Sequence, residues 1–401
     1  MTEPPSGGAL SGYRVIDLTT VLMGPLATRA LGDHGADVIR VEPVRGDDSR
    51  RGEPARHPGM SAMVLTMQRN KRSVALDLKD VAGREVMARL VASADVLVTN
   101  VRRAALERLG LDAATTRAAN PRLVHCVANG YGPDGPYADR PAYDDAIQAA
   151  SGLASLVGEV TGEPAFVPTV VVDKVAGLTI VQAVIAALLH RERTGEGQAI
   201  EVPMFETMAA FNLVEHLQGH AFEPPVGDIG YRRLLTGARR PYRSADGWVC
   251  LLPYNDNHWR AFLAAIGRPE LVDDPRFATH NARITHVEET YGLLAEVAPS
   301  RTTAAWLELC DRIAVPAAEV RSLAELVEDP HLRAVGLVGE VEHPTEGTYR
   351  VVADPVHYER SPTALRRHAP RLGEHTAEVL TDLGYTPEQV RGLIERGTAA
   401  G

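Results

Sequence analysis

Cysteine is scarce in this chain. Cys126, Cys250 and Cys310 lie far apart and without C-x-x-C spacing. An odd, sparse set of this kind argues against a cysteine zinc site and fits a reducing, cytoplasmic setting. H-E-x-x-H and clustered Cys/His ligands are missing too, so no metal is expected. Between Met1 and Ser11 there is neither a basic start nor an apolar core, so no signal peptide is expected. No apolar run looks long enough to span a bilayer, and no membrane partner is expected. Internal repeats and low-complexity tracts are absent. Positive charge is in deficit, with 42 Lys and Arg against 52 Asp and Glu, a net −10. That argues against nucleic acid as a partner and requires any anionic ligand to find a local basic patch.

What is present is the composition of an ordinary globular protein, and 401 residues are enough for two domains or one large one. The chain is organised around the stretch from Pro168 to Arg191. From Val175 to Leu189 only Thr179 and Gln182 interrupt the apolar residues, which predicts a helix buried on all sides. The β-branched Val170, Val171 and Val172 predict an extended approach to it. Asp173 then stands at the helix N-cap position. Two readings of Asp173 stay open on local features. It is a cap, or it is a carboxylate aimed inward at the positive end of a helix, with backbone N–H groups free for a developing oxyanion.

The N-terminal half alternates strand and helix. Tyr13–Leu18 and Ala36–Glu42 read as strands around a helix from Leu26 to Asp33, which makes a βαβ unit and a parallel sheet. Lys71–Leu78 alternates at period two and reads as a strand. Helix 82–92, strand 96–98, helix 104–109 and strand 123–127 follow. Ligands of such sheets sit beyond the carboxyl ends of strands, where Asn100 falls. Gly130-Tyr131-Gly132-Pro133-Asp134-Gly135 matches G-x-G-x-x-G, but Pro133 and Pro136 prevent the helix that a dinucleotide fingerprint must open. It reads as a glycine-rich turn, and NAD is not expected. From about Ala221 the character changes through Pro224, Pro225 and Gly227. A hairpin over Arg240–Leu251, with its turn at Asp246-Gly247, precedes helices 258–266, 287–295 and 303–312. The expected division is a large domain over 1–222, a smaller α+β domain over 223–330, and a C-terminal segment, 331–401, that rejoins the first.

Five blocks in order resemble the family III CoA-transferases. The first runs from Gly24-Pro25 through Leu31-Gly32-Asp33-His34-Gly35-Ala36-Asp37-Val38-Ile39-Arg40-Val41-Glu42-Pro43. The second is Asn70–Lys79, and the third comprises Gly130–Pro136 with Tyr143-Asp144, Gln148-Ala149 and Ser151-Gly152. His190–Gln198 and Leu372–Thr376 complete the set. The resemblance implies an α/β fold with a Rossmann-like large domain and a smaller α+β domain. It also implies a homodimer of two interlocked chains.

The implied activity moves coenzyme A from an acyl-CoA thioester to a carboxylic acid. Asp173 occupies the position of the family's catalytic aspartate, which forms mixed anhydrides and an aspartyl-CoA thioester. By motif position the resemblance assigns CoA to Leu76, Lys79, Asn100, Val101, Arg102 and Arg108. Lys71, Arg72, Arg103 and Arg40 are further cationic candidates. Pro43 stands where formyl-CoA transferases carry an arginine, and Arg45 is the candidate replacement. Thr20, Val21 and Leu22 occupy the loop that lines the site in relatives, and their apolar character predicts no strong polar hold on a small dicarboxylate. Tyr143 and Asp144 match residues near the reacting carbonyl. The glycine loop of formyl-CoA transferases has no counterpart, and Tyr254 and Trp259 in that region read as core aromatics.

The rival on the same scaffold is an α-methylacyl-CoA racemase, whose histidine is replaced here by Tyr143 in Ala142-Tyr143-Asp144. A tyrosine with a pKa near ~10 is a poor base at neutral pH. A nucleotide-dependent oxidoreductase and a CoA-binding protein without catalysis are two more distant rivals.

Overall fold

A computed structural model describes residues 7–401; Met1 to Ser6, most of the segment read for a leader, lie outside it. Two compact units divide the chain. The first comprises Met1–Ser151, Pro168–Ala210 and Pro330–Gly401; the second comprises Gly152–Val167 and Phe211–Asp329. The expected boundaries at 222 and 330 miss two features. The main stretch of the second unit starts earlier, at Phe211, and the segment Gly152–Val167 belongs to that unit as well.

In the first unit, β1 (Arg14–Leu18) leads through α1 (Met23–Asp33) to β2 (Asp37–Glu42). Then come α2 (Ala62–Met67), β3 (Lys71–Leu76), α3 (Val81–Ala92), β4 (Val96–Thr99), α4 (Arg103–Leu109), α5 (Ala113–Ala119) and β5 (Val124–Asn129). Helix α6 (Asp144–Ala150) follows the glycine-rich turn; α7 (Leu153–Thr161) belongs to the second unit. Helix α8 (Val171–Thr194) and β6 (Ala199–Pro203) return to the sheet, and α9 (Met204–His216) carries the chain out of the first unit.

The strands order as β3-β2-β1-β4-β5-β6, all parallel, with Ile16 paired to Ile39 on one side and Leu97 on the other. This is the doubly wound order, and its switch point lies between β1 and β4. The sheet is not purely parallel: the chain's last strand, Ala399–Ala400, adds antiparallel to β3. Helices near the C-terminus bring Val379, Leu380, Val390 and Leu393 into the same core as Ile16, Ile39 and Leu97.

Strand β3 departs from its two-faced reading, because every residue from Lys71 to Leu76 is buried. Its polar side chains are satisfied internally. Lys71 Nζ donates to Asp17 Oδ2 at 2.9 Å, and Arg72 pairs with Asp37, Glu378 and Asp382. Ser73 donates to Glu42 at 2.6 Å.

In the second unit, β7 (Tyr242–Arg243) and β8 (Trp248–Leu251) form the expected hairpin, and Ala317–Glu319 pairs with β8 as a third antiparallel strand. Helices 256–265, 287–297 and 303–312 pack there around Trp259, Phe262 and Trp306. Trp259 is core, as expected. Tyr254 is not, at 48% exposed, because it precedes the helix and turns toward solvent.

Helix α8 differs from its expected form in three ways. It begins at Val171, so Val171 and Val172 are helical and not extended; the backbone cap is Val170. It is not buried all round, since Leu178 (63% exposed), Ile185 and Leu189 form an open apolar face. By length and composition alone its 24 residues, with mean hydropathy 1.8 over the most apolar window, suffice to cross a membrane, contrary to the sequence expectation. The opposite face packs on α1, β5 and β6. The approach to α1 is close: a Cβ on Gly177 would lie 2.9 Å from the Met23 carbonyl oxygen.

Candidate active site

Asp173 sits in the first turn of α8, inside the helix and not at its cap. The capping function comes from a residue far away in sequence. Asp144 Oδ2 accepts from the backbone N–H groups of Val172 at 2.8 Å and Asp173 at 3.1 Å. Gln148 Nε2, one turn along α6, donates to Asp144 Oδ1 at 2.6 Å. A buried carboxylate at a helix N-terminus satisfies amides that have no partner within the helix and meets the positive end of the dipole. The two N–H groups pictured as free for an oxyanion are therefore occupied.

The side chain of Asp173 is half-buried and, among the described residues, has no hydrogen-bond or ion-pair partner. Burial first, and the neighbouring Asp144 carboxylate second, push its pKa from 3.8 up to about 6. A carboxylate so treated is weakly solvated and more basic than usual, which favours nucleophilic or proton-transfer chemistry over a structural role.

The loop after β1 supplies a second wall. Asn100, just past β4, donates from Nδ2 to Thr20 O at 3.0 Å and accepts at Oδ1 from Thr20 N at 3.1 Å. This bridge spans the switch point of the sheet. Val21 is held at φ 68°, a conformation that disfavours a β-branched residue, and it is 49% exposed; Leu22 is buried. A strained, exposed apolar residue at a ligand edge is a functional sign. Gly177 lies one turn beyond Asp173 on the same face of α8, and Gly177 meets Met23, the residue after Leu22. Asp173 therefore lies on the face of α8 turned toward the start of α1.

The other expected residues separate into two groups. Lys79, Arg102 and Arg108 are exposed and, among the described residues, hold no side-chain ion pair; Val101 is partly buried beside them in sequence. Leu76 is 1% exposed and lies in the core in register with Ala399, so it is corrected from a ligand candidate to framework. Lys71, Arg72 and Arg40 are corrected from ligand candidates to framework. Lys71 and Arg40 are fully buried, Lys71 against Asp17 and Arg40 against Asp47, and burial pushes Lys71 down to about 8. Arg103 faces Glu201 at 3.4 Å. Tyr143 is 72% exposed at the start of α6, while its neighbour Asp144 is buried.

The glycine-rich turn leads into no helix until α6. Gly132 N donates to Glu206 at 2.8 Å, and Tyr131 packs against Phe205. Sequence reasoning missed Gln148 as the anchor of Asp144. The spacing of four between them on a helix was the available signal.

The comparisons with known proteins agree along nearly the whole chain. The profile of CoA-transferase family III matches residues 10–376. The chain belongs to family III of the CoA-transferases. It is 35% identical to a succinate–glutarate CoA-transferase of Agrobacterium fabrum, over 96% of this chain and 98% of that one. It is 32% identical to a formyl-CoA:oxalate CoA-transferase of Rhodopseudomonas palustris, over 98% and 97%. The solved structure of a CaiB/BaiF family protein from Brucella suis superimposes with a TM-score of 0.79 at 31% identity, covering 94% of this chain and all of the other. This family III CoA-transferase thus has an acyl-CoA and a carboxylic acid as its substrates. The racemase reading is not favoured by these relatives. Asp144 is moreover already engaged by the α8 backbone and Gln148.

Proposed function

We propose that Asp173 carries the transfer covalently. Its carboxylate oxygen attacks the thioester carbonyl of the donor acyl-CoA; the C–S bond breaks, CoA leaves as the thiolate, and a mixed anhydride remains. The thiolate attacks the Asp173 side-chain carbonyl, expels the donor acid and gives an aspartyl-CoA thioester. The acceptor carboxylate attacks that thioester, the thiolate leaves again, and a second anhydride forms. The thiolate then takes the acceptor acyl group and frees the Asp173 carboxylate. Charge balances at every step, so no net proton transfer is required.

The observation that carries this reading is the unpaired carboxylate of Asp173 beside Asp144. A carboxylate is a weak nucleophile in water, and desolvation and positioning are what activate it. Asp144 holds the turn, Asn100 and Thr20 fix the opposite wall, and Lys79, Arg102 and Arg108 are the cations proposed for the CoA phosphates. We place the enzyme in the cytoplasm as a homodimer, with Leu178, Ile185 and Leu189 of α8 among the apolar residues a second copy covers.

The test is to incubate the enzyme with an acyl-CoA, quench with hydroxylamine or borohydride, and map the adduct by mass spectrometry. The reading expects modification on the peptide carrying Asp173. Transfer that proceeds at full rate in Asp173→Asn would overturn it. Exchange of the α-proton with solvent would instead support the racemase.

A further inference from the structure

A buried charge pair holds the loop of Thr20, Val21 and Leu22 from beneath. Asp17, near the end of β1, and Lys71, at the start of β3, are both fully buried. Asp17 collects four donors. Thr19 reaches Oδ1 with its backbone N–H at 3.1 Å and its hydroxyl at 2.5 Å. Thr28 Oγ1 donates to Oδ2 at 2.7 Å, and Lys71 Nζ donates to the same oxygen at 2.9 Å. Lys71 Nζ also donates to the Pro25 carbonyl at 3.0 Å and to Gln68 Oε1 at 2.9 Å. An ammonium has three donors, and here all three are used.

These partners lie on different elements. Thr19 opens the loop, Pro25 and Thr28 belong to α1, and Gln68 ends α2. The pair therefore ties β1, β3, α1 and α2 together at one corner. Space there is tight, since a Cβ on Gly24 would collide with the Thr19 side chain. Residues 20–22 arch between Thr19 and the start of α1, with Val21 at φ 68°. The next residue, Met23, is the one on which Gly177 of α8 seats, one turn beyond Asp173. Two other charges face the pair, Arg40 from β2 and Arg29 from α1. Arg40 is engaged by Asp47 and Arg29 lies beside Asp33, so Lys71 is the cation bonded to Asp17. A buried ion pair adds little stability over apolar side chains of the same shape, so its place beneath a ligand loop calls for another reason.

We propose that Lys71 is a positioning residue for the transfer: bonded to Asp17 and to the first turn of α1, it fixes the loop Thr20–Leu22 beside the turn of α8 that bears Asp173. The charge makes this device sensitive to pH. Burial pushes the Lys71 ammonium down to about 8, against the pull of Asp17. Above that pH Lys71 loses its proton, Asp17 is left without a bonded cation, and the corner loosens. The inference rests on the reading that Asp173 carries the transfer.

Steady-state kinetics from neutral to alkaline pH test it, on the unmutated protein, on Lys71→Met combined with Asp17→Asn, and on Gln68→Met. The double variant removes both charges, so no buried charge is stranded as it would be in Lys71→Met alone. The unmutated protein should lose kcat/KM above about pH 8. The double variant should lack that alkaline limb and be slower at neutral pH by about ten-fold or more, because a displaced loop misaligns the reacting groups. Gln68→Met removes an acceptor that favours the charged amine, so its limb should move to lower pH. A folded double variant that keeps the limb, or turns over at the unmutated rate, overturns the proposal. Where the double variant does not fold, Gln68→Met decides alone, and an unmoved limb overturns the proposal. Failure of the covalent reading shows separately, as an unmodified Asp173 peptide in the unmutated protein, and leaves these kinetic outcomes to be read as they stand.

Discussion

Asp144 holds the backbone N–H of Asp173 at 3.1 Å while its negative charge raises the pKa of the same residue's side chain. One carboxylate thus anchors the turn and adds to the burial that raises the pKa of the other. The two acids divide the work: Asp144 is bonded and fixed, Asp173 is unpaired and reactive.

Replacing Asp173 by Asn is expected to lower transfer by at least about three orders of magnitude, the scale on which removing a nucleophile acts. It is also expected to stabilise the fold at neutral pH. The folded-state pKa lies above the unfolded value, so ionising Asp173 costs stability; the cost is absent well below 3.8 and complete above about 6. The gain is roughly 1–3 kcal/mol, reduced by partial exposure. Melting curves of both proteins at neutral and acid pH check this, and the difference should vanish at acid pH.

Asp144→Asn removes the charge and keeps an acceptor for the helix. The acid limb of kcat/KM, set near 6 by Asp173, should then move to lower pH by up to about one unit. Asp144→Ala should in addition lose about 1–2 kcal/mol of stability with the cap. A pH–rate profile paired with urea unfolding separates the two effects.

Asn100→Ala deletes both hydrogen bonds to Thr20 and releases the loop that carries Val21. Two such bonds contribute roughly 1–2 kcal/mol, so kcat/KM should fall about ten-fold or somewhat more. Steady-state kinetics beside a thermal melt will show whether the loss exceeds the change in stability.

Much of this architecture was legible in the sequence. Strands β1, β2 and β4 announced themselves by apolar runs between helical segments, and the parallel order followed. The cap of α8 was not legible, because Asp144 acts across two intervening helices and no local spacing connects it to Val172. Strand β3 misled for a related reason: Lys71, Arg72 and Ser73 look wet, yet Lys71 and Ser73 find buried acids and Arg72 is held by three partly exposed ones. Helix α8 misled in the other direction. Apolarity at Leu178, Ile185 and Leu189 says that the face avoids water, not which surface covers it.

That open face makes a prediction of its own. If the proposed homodimer buries it, Leu178→Lys combined with Leu189→Lys should yield a monomer in sedimentation experiments where the unmodified protein sediments as a dimer, with little change in the core, since both side chains point outward.

Gly177→Val should disrupt the seat of α8 on α1. Its Cβ would meet the Met23 carbonyl at 2.9 Å, and the added methyls have nowhere to go. A cost of about 1–3 kcal/mol is expected, measured by urea denaturation, with activity falling further because the turn bearing Asp173 moves.

The covalent route makes one demand on atoms that a direct transfer between the two acids does not. An oxygen of Asp173 leaves with the donor acid, and an oxygen of the acceptor acid replaces it. Turnover with an acceptor acid labelled in both carboxylate oxygens with the heavy isotope, followed by digestion and mass spectrometry, should find at least one heavy oxygen in the peptide that contains Asp173. Repeated turnover that leaves this peptide at its natural mass, while labelled acyl-CoA accumulates, would contradict the account.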